Sequence, residues 1–139
     1  MNTAQKVAIV TGASRGIGAA LVAAYRELGY AVTATARSLD ESSDPSVLTV
    51  SGDVSEPGVG ARIVDATLTR FGRADTLVNN AGVFVSKPFT DFTDEDYDLV
   101  TGVNLTAATT EVPEGWRGQT VVAVVASMSR EVCHRRAAW

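Results

Sequence analysis

The first thirty residues constrain this chain most, because an apolar run, a glycine-rich turn and a helical repeat follow one another there without a break. Lys6 to Thr11 reads KVAIVT, short and rich in branched side chains. From Gly16 to Leu28, apolar residues recur at Ile17, Leu21, Ala24, Tyr25 and Leu28, which is helical spacing. Between the two lies Thr11-Gly12-Ala13-Ser14-Arg15-Gly16-Ile17-Gly18. A strand that turns through glycines into a helix start gathers backbone N–H groups and the positive end of the helix dipole at one spot. Missing side chains then let a phosphate approach. The spacing departs from G-x-G-x-x-G by a longer gap between the first two glycines, but the place after a strand and before a helix favours a phosphate-binding turn over an ordinary loop.

The alternation continues along the chain. Gly29 closes the helix and Tyr30 to Ala36 (YAVTATA) reads as a second strand; Ser38 to Ser46 is a polar loop containing Pro45. Val47 to Val50 is a third strand that leads into Gly52 and Asp53. Pro57 suits a helix start, and Ile63, Val64, Ala66, Thr67, Leu68 and Phe71 give that helix an inner face before Gly72. Thr76 to Asn79 is the fourth strand. Thr93 ahead of Asp94, Glu95 and Asp96 places a capping hydroxyl before three acids in a first helical turn. The buried side of that helix is expected at Leu99, Val100, Val103 and Ala107, with an end before Val112-Pro113-Glu114-Gly115. Thr120 to Ala126 (TVVAVVA) reads as a fully buried fifth strand.

Strands separated by helices pair in parallel through crossovers, so the expected fold class is α/β, a Rossmann-type doubly wound parallel sheet that stops after about the fifth strand. Residues 1–128 are expected to form this one domain and residues 129–139 a basic tail. The tail carries Arg130, His134, Arg135, Arg136 and Trp139 and reads either as a recognition tail or as a frayed or out-of-frame terminus.

Composition narrows the partners. With 139 residues and 45% hydrophobic content the chain can bury a real core, and its net charge of −4 is modest. The arginines are scattered up to the tail, so neither nucleic acid nor an anionic membrane is an expected partner and a small molecule is. Met1 to Lys6 is polar, and the chain has no apolar stretch long enough to span a bilayer, which predicts a soluble, cytoplasmic protein. Cys133 is the only cysteine and His134 the only histidine, leaving no internal disulfide and no set of metal-ligand spacings.

The glycine turn resembles the T-G-x-x-x-G-x-G turn of the short-chain dehydrogenase/reductase family, matched from Thr11 to Gly18 without a departure. Three further landmarks agree in order and spacing. Asp53-Val54 follows the third strand, where the family holds the adenine ring; Asn79-Asn80-Ala81-Gly82 ends the fourth strand as the family's N-N-A-G motif does; and Asn104 stands where the family carries a helix asparagine of its active site. The resemblance covers roughly the first 105 residues. It implies a nicotinamide dinucleotide held by Gly12, Ser14, Arg15, Gly16, Ile17 and Gly18, by Asp53 and Val54, and by Asn80, Ala81 and Gly82. An acid after the second strand would hold the ribose hydroxyls of NAD, whereas a 2'-phosphate is repelled by an acid and attracted by arginine. This chain has Ala36-Arg37 there, and Arg15 inside the turn occupies the other position where NADP-preferring members carry a base. Either arginine alone could be a solvated surface charge. Together they point to NADP(H).

Activity in the family moves hydride to or from nicotinamide on a carbonyl or alcohol, with a tyrosine exchanging the proton, a lysine four residues later lowering its pKa, and a serine after the fifth strand orienting the carbonyl. Free tyrosine titrates near pH ~10, so the neighbouring positive charge is a physical need. Four residues beyond Tyr25, Tyr30 and Tyr97 stand Gly29, Ala34 and Thr101, and the only lysines are Lys6 and Lys87. The Tyr-x-x-x-Lys pair is therefore missing. Ser127 stands at about the serine position and reads equally as a catalytic residue, beside Asn104, or as a strand-end cap.

The sequence thus predicts the cofactor-binding half of an NADP(H)-dependent short-chain oxidoreductase, inactive alone, or a non-catalytic NADP(H)-binding module or subunit completed by another chain. A fifth strand left at the sheet edge, with Val121, Val122, Val124 and Val125, predicts self-association or pairing with such a chain. Other doubly wound proteins, such as methyltransferases or flavodoxin-like domains, share the fold class but leave Asn79 to Gly82 and the two arginines without a role.

Overall fold

The branched run after Lys6 forms β1 (Val7–Thr11), buried at all five residues. The structure is a computed structural model and describes residues 5–83, 85–106 and 120–123. After β1 come α1 (Gly16–Glu27), β2 (Ala31–Ala36), β3 (Val47–Ser51), α2 (Val59–Phe71), β4 (Thr76–Asn79), α3 (Asp94–Thr101) and β5 (Thr120–Ala123). The strands pair in the order β3-β2-β1-β4-β5, each pairing parallel. This is the expected Rossmann-type α/β sheet. Its order reverses at β1, which pairs with β2 on one side and β4 on the other, and such a reversal opens a crevice at the carboxyl ends of the strands.

Side chains alternate across the sheet, and the two faces carry two separate cores. Ile9 and Leu77, paired in register, pack with Val50, Val54, Ile63 and Val64 under α2. Their neighbours Val10 and Val78, also paired, pack with Val32, Ala34 and the half-buried Leu21, Val22 and Tyr25 of α1. Burying each of Ile9, Ile63 and Leu77 stabilises the fold by roughly 1.5–3 kcal/mol in transfer terms. Among the buried polar side chains, Thr67 Oγ1 donates to Ile63 O at 2.7 Å and lies 2.9 Å from the buried Thr33 Oγ1, while the Thr35 hydroxyl is buried without a partner among the described residues. The loop after β2 is tied back to α1 by Arg26, whose Nε donates to Asp44 Oδ2 at 2.9 Å while Nη1 donates to Tyr30 O. That hydrogen bond, helped by the Ser46 amide, holds the Asp44 carboxyl below the usual range.

Several expectations shift by a residue or a face. β2 begins at Ala31, because Tyr30 N instead donates to Tyr25 O at 2.9 Å as α1 ends. Pro57 does not start α2. It fills the middle of a turn with Gly58, closed by Val59 N donating to Glu56 O at 3.3 Å, and the helix begins at Val59. Of the apolar positions spaced along this segment, Ile17 and Leu28 are exposed, at 51% and 73%; Ile17 lies in the first turn of α1 and Leu28 is its C-terminal cap. Leu68 of α2 is likewise exposed.

α3 starts as predicted, with Thr93 Oγ1 accepting from Asp96 N and the Asp96 carboxylate accepting from Thr93 N. It buries none of its own residues, so Leu99 is not the core residue the spacing suggested. The chain seals against the core only at Val103, in a wide π-helical turn spanning Gly102–Thr106. Ala107, Val112 to Gly115, the end of the fifth-strand run, Ser127, the boundary at 128 and the whole basic tail lie outside the described residues.

Candidate functional site

The site is assembled where the strands end. Thr11, the last residue of β1, donates its hydroxyl toward Val78 O at 3.4 Å and accepts from Asn80 N at 3.0 Å and Ala81 N at 2.9 Å. Asn80 answers with its side chain, Nδ2 donating to Thr11 O and Gly12 O at 3.1 Å each. Two segments almost seventy residues apart are thus locked edge to edge, which places the glycine turn beside the end of β4.

Glycines make the approach possible. A Cβ on Gly18 would collide with Gly12 O and lie 2.6 Å from Asn80 Nδ2, and one on Gly12 would lie 2.8 Å from Ala81 Cα. Gly16 is different. It takes φ +58° with nothing within 4 Å of where a Cβ would be, facing the cleft.

The start of α1 is left open. Arg15 occupies the cap position in extended backbone, no side chain caps the helix and no acid lies in its first turn. The first N–H groups of a helix have no intrahelical acceptor. At α3 the chain meets that need with Thr93 and Asp96; at α1 it does not, although the turn is exposed at Ser14, Arg15, Gly16 and Ile17. Open amides, the positive end of the dipole and a cradle that a Cβ would fill suit a dinucleotide's pyrophosphate. The residues present fit that group.

These pieces line one cleft of about 830 Å³. The glycine turn supplies Gly12, Ser14, Arg15, Gly16 and Ile17, while the end of β2 supplies Ala36, Arg37 and Ser38, with no carboxylate among those three. The end of β3 supplies Gly52, Asp53 and Val54, and the end of β4 supplies Asn80, Ala81, Gly82 and Val83; Leu99 and Val103 close the far wall. Gly18 stands behind, packed on Gly12. Ser55 orients Asp53, its Oγ donating to Asp53 Oδ1 at 2.6 Å and its N at 2.9 Å. Those hydrogen bonds, with a contribution from the Arg37 charge, keep the Asp53 carboxyl below the usual carboxylate range. It is ionised at neutral pH and fixed in orientation.

Asn104 lies in the wide turn after α3 and does not line the cleft. Its Oδ1 accepts from Val83 N at 2.8 Å and its Nδ2 donates to Val83 O at 2.9 Å, so the side chain holds the strand-end loop. Ser127 lies outside the described residues. No tyrosine or lysine lines the cleft among the described residues. Tyr25 and Tyr30 stack edge to face on the α1 side, ring centroids 5.1 Å apart, and burial with the neighbouring Tyr30 pushes the Tyr25 hydroxyl up, away from neutrality. Tyr97 projects from α3 at 68% exposure, and Lys87 pairs with Asp96.

Sequence reasoning missed Ala36, Ser38, Gly52, Val83, Leu99 and Val103 as cleft residues and Thr11 as the lock. Only Thr11 carried a signal, its place at the head of the turn. The described residues hold no group of three potential metal ligands and no helix long and apolar enough to cross a membrane.

The family model described as short chain dehydrogenase matches residues 6–129. An 11-beta-hydroxysteroid dehydrogenase 1A of Arabidopsis thaliana is 46% identical over 88 residues, 56% of this chain and 25% of the plant protein. Among solved structures, a 3-ketoacyl-(acyl-carrier-protein) reductase from Brucella melitensis complexed with NADH matches with a TM-score of 0.71 at 29% identity, covering 76% of this chain and 47% of that one. A blue fluorescent protein from a metagenomic library in complex with NADPH matches with a TM-score of 0.69 at 30% identity, covering 80% and 50%. The matched stretch thus spans a quarter of the plant relative and about half of each solved chain.

Proposed function

The chain belongs to the short chain dehydrogenase family, and from that premise we propose that it is the NADP(H)-binding half of an oxidoreductase acting on a small carbonyl or alcohol. One observation carries the cofactor reading: the uncapped start of α1 and the arginines Arg15 and Arg37 share a cleft whose β2 end, Ala36 to Ser38, holds no carboxylate. In this reading the amides from Gly12 to Gly18 hold the pyrophosphate. Arg15 and Arg37 take the 2'-phosphate by charge-assisted hydrogen bonds, Asp53 and Val54 border the adenine, and Asn80, Ala81 and Gly82 form the floor beside the ribose. NADP(H), when bound, supplies or accepts the hydride.

The residues for moving a proton are not on this chain in the required pairing. Of the tyrosines, Tyr25 has its hydroxyl pKa raised and none has a lysine four residues on. The chain by itself is therefore expected to bind without turnover, with Asn104 holding the loop at Val83 and Ser127, if it acts, orienting a carbonyl together with a tyrosine and lysine supplied by another chain. The same observation favours the second reading, a non-catalytic NADP(H)-binding module.

Fluorescence titration of the purified chain with NADPH and NADH, followed by assay against a panel of aldehydes and ketones, tests both parts. Tighter binding of NADPH, by about tenfold or more, is expected with no oxidation of NADPH. Equal affinities would remove the 2'-phosphate assignment, and turnover would remove the inactive-alone assignment.

A further inference from the structure

Arg62 lies on α2, outside the cleft lining and outside every landmark that the sequence singled out. Its Nη2 donates to Ser51 O at 2.8 Å, and its guanidinium lies against the backbone of Gly52, where a Cβ would collide with Nη2 and come within 2.9 Å of Val59 Cγ1. Gly52 is the residue that joins β3 to the cleft wall at Asp53. It is also stitched to β2, since Gly52 N donates to Ala36 O at 2.9 Å. Ser51 is stitched to the loop after Arg37, as Leu39 N donates to Ser51 Oγ at 3.1 Å. The ends of β2 and β3 therefore converge on Ser51-Gly52, and Arg62 braces that junction from α2.

We propose that Arg62 is a positioning residue for the adenosine end of the cleft: its guanidinium, seated on Gly52 and bonded to Ser51 O, sets where Asp53 enters the cleft wall. A guanidinium suits this role better than a lysine, because its rigid fork holds Nη2 both against Gly52 and within hydrogen-bond reach of Ser51 O. Gly52 is a glycine here because the guanidinium takes the space of its side chain. The inference rests on the cofactor reading above and adds a residue to it that does not touch the cofactor.

The test titrates the full chain and its Arg62→Ala and Arg62→Lys variants with NADPH and with NADH. Positioning predicts that Arg62→Ala weakens both cofactors by the same factor, about tenfold, since both share the adenosine wall. Arg62→Lys, which restores a donor to Ser51 O without the rigid fork, recovers part of that loss for both. Nicotinamide mononucleotide, which lacks the adenosine end, should bind the variants as it binds the unmodified chain. A loss confined to NADPH would make Arg62 a direct ligand of the 2'-phosphate and overturn the positioning role, as would unchanged affinity for both cofactors. Failure of the unmodified chain to bind either cofactor would overturn the cofactor reading and this inference with it.

Discussion

Asn104 and Val83 form a closed pair, the Asn104 amide donating to Val83 O at 2.9 Å and accepting from Val83 N at 2.8 Å. The pair matters because Val83 lines the cleft and Asn104 does not. Asn104→Asp keeps the acceptor for Val83 N but sets a carboxylate oxygen against Val83 O, so it should destabilise at least as much as Asn104→Ala. Each lost hydrogen bond at this exposed site is worth about 0.5–1 kcal/mol. Urea unfolding of both variants checks the order, and an Asn104→Asp variant as stable as the parent would contradict it.

Arg37 is expected to set cofactor preference. Arg37→Asp removes the cation at the end of β2 and introduces the carboxylate that a ribose diol favours. NADPH should bind about 10- to 100-fold more weakly, the worth of a charge-assisted contact, while NADH binds as well or better. A titration in which both cofactors weaken equally would show that Arg37 contributes only to the general field of the cleft.

Gly18→Ala tests the packing of the turn. The added methyl meets Gly12 O and Asn80 Nδ2 and cannot be absorbed by a flexible side chain, so the turn must move off the end of β4. Overpacking of this kind costs about 1–3 kcal/mol. Thermal unfolding should show a lower Tm, and NADPH binding should fall in the same variant.

Asp75 gives a pH-dependent contribution with a defined sign. Partial burial raises its pKa, but hydrogen bonds from Arg73 and from Val7 N, with the charges of Arg73 and Lys6, outweigh it and the net shift is downward. A folded pKa below the unfolded value of about 3.9 means that the stabilisation is complete above that pH. It is lost as pH falls through the folded value. Asp75→Asn should therefore be less stable than the parent at neutral pH, and the gap should narrow as the solution is taken below about pH 4. A gap that stays constant on acid titration, followed by circular dichroism, would show that the charge of Asp75 plays no part.

Much of this was legible in the sequence, because the relevant signals are local. Helix spacing, capping residues and branched runs depend on neighbours within a few positions, and they located β1 to β4 and the starts of the three α-helices within two residues. Where they slipped, a nearby alternative partner won: Tyr30 N found the end of α1 and Pro57 joined a turn instead of a helix. Burial was harder to read than periodicity. Leu99 and Val103 share a helical spacing and both line the cleft, yet Leu99 is 47% exposed whereas Val103 also packs into the core and is 8% exposed. Which side of α3 meets the sheet is not a property of α3.

By itself, the sequence determined the alternating parallel architecture, the glycine turn from Thr11 to Gly18, the places of the two arginines and that none of the three tyrosines has a lysine four residues on, all of which follow from residue type and short-range spacing. The tertiary structure alone decided that Thr11 locks onto Asn80 and Ala81, that Asn104 is spent on Val83, and that Arg62 takes the place of a Gly52 side chain. The physical reason is distance along the chain. Hydrogen bonds spanning 11 to 70 residues leave no local pattern, since any donor within reach of the folded position would satisfy the same geometry, and only packing of the sheet and helices selects which one arrives.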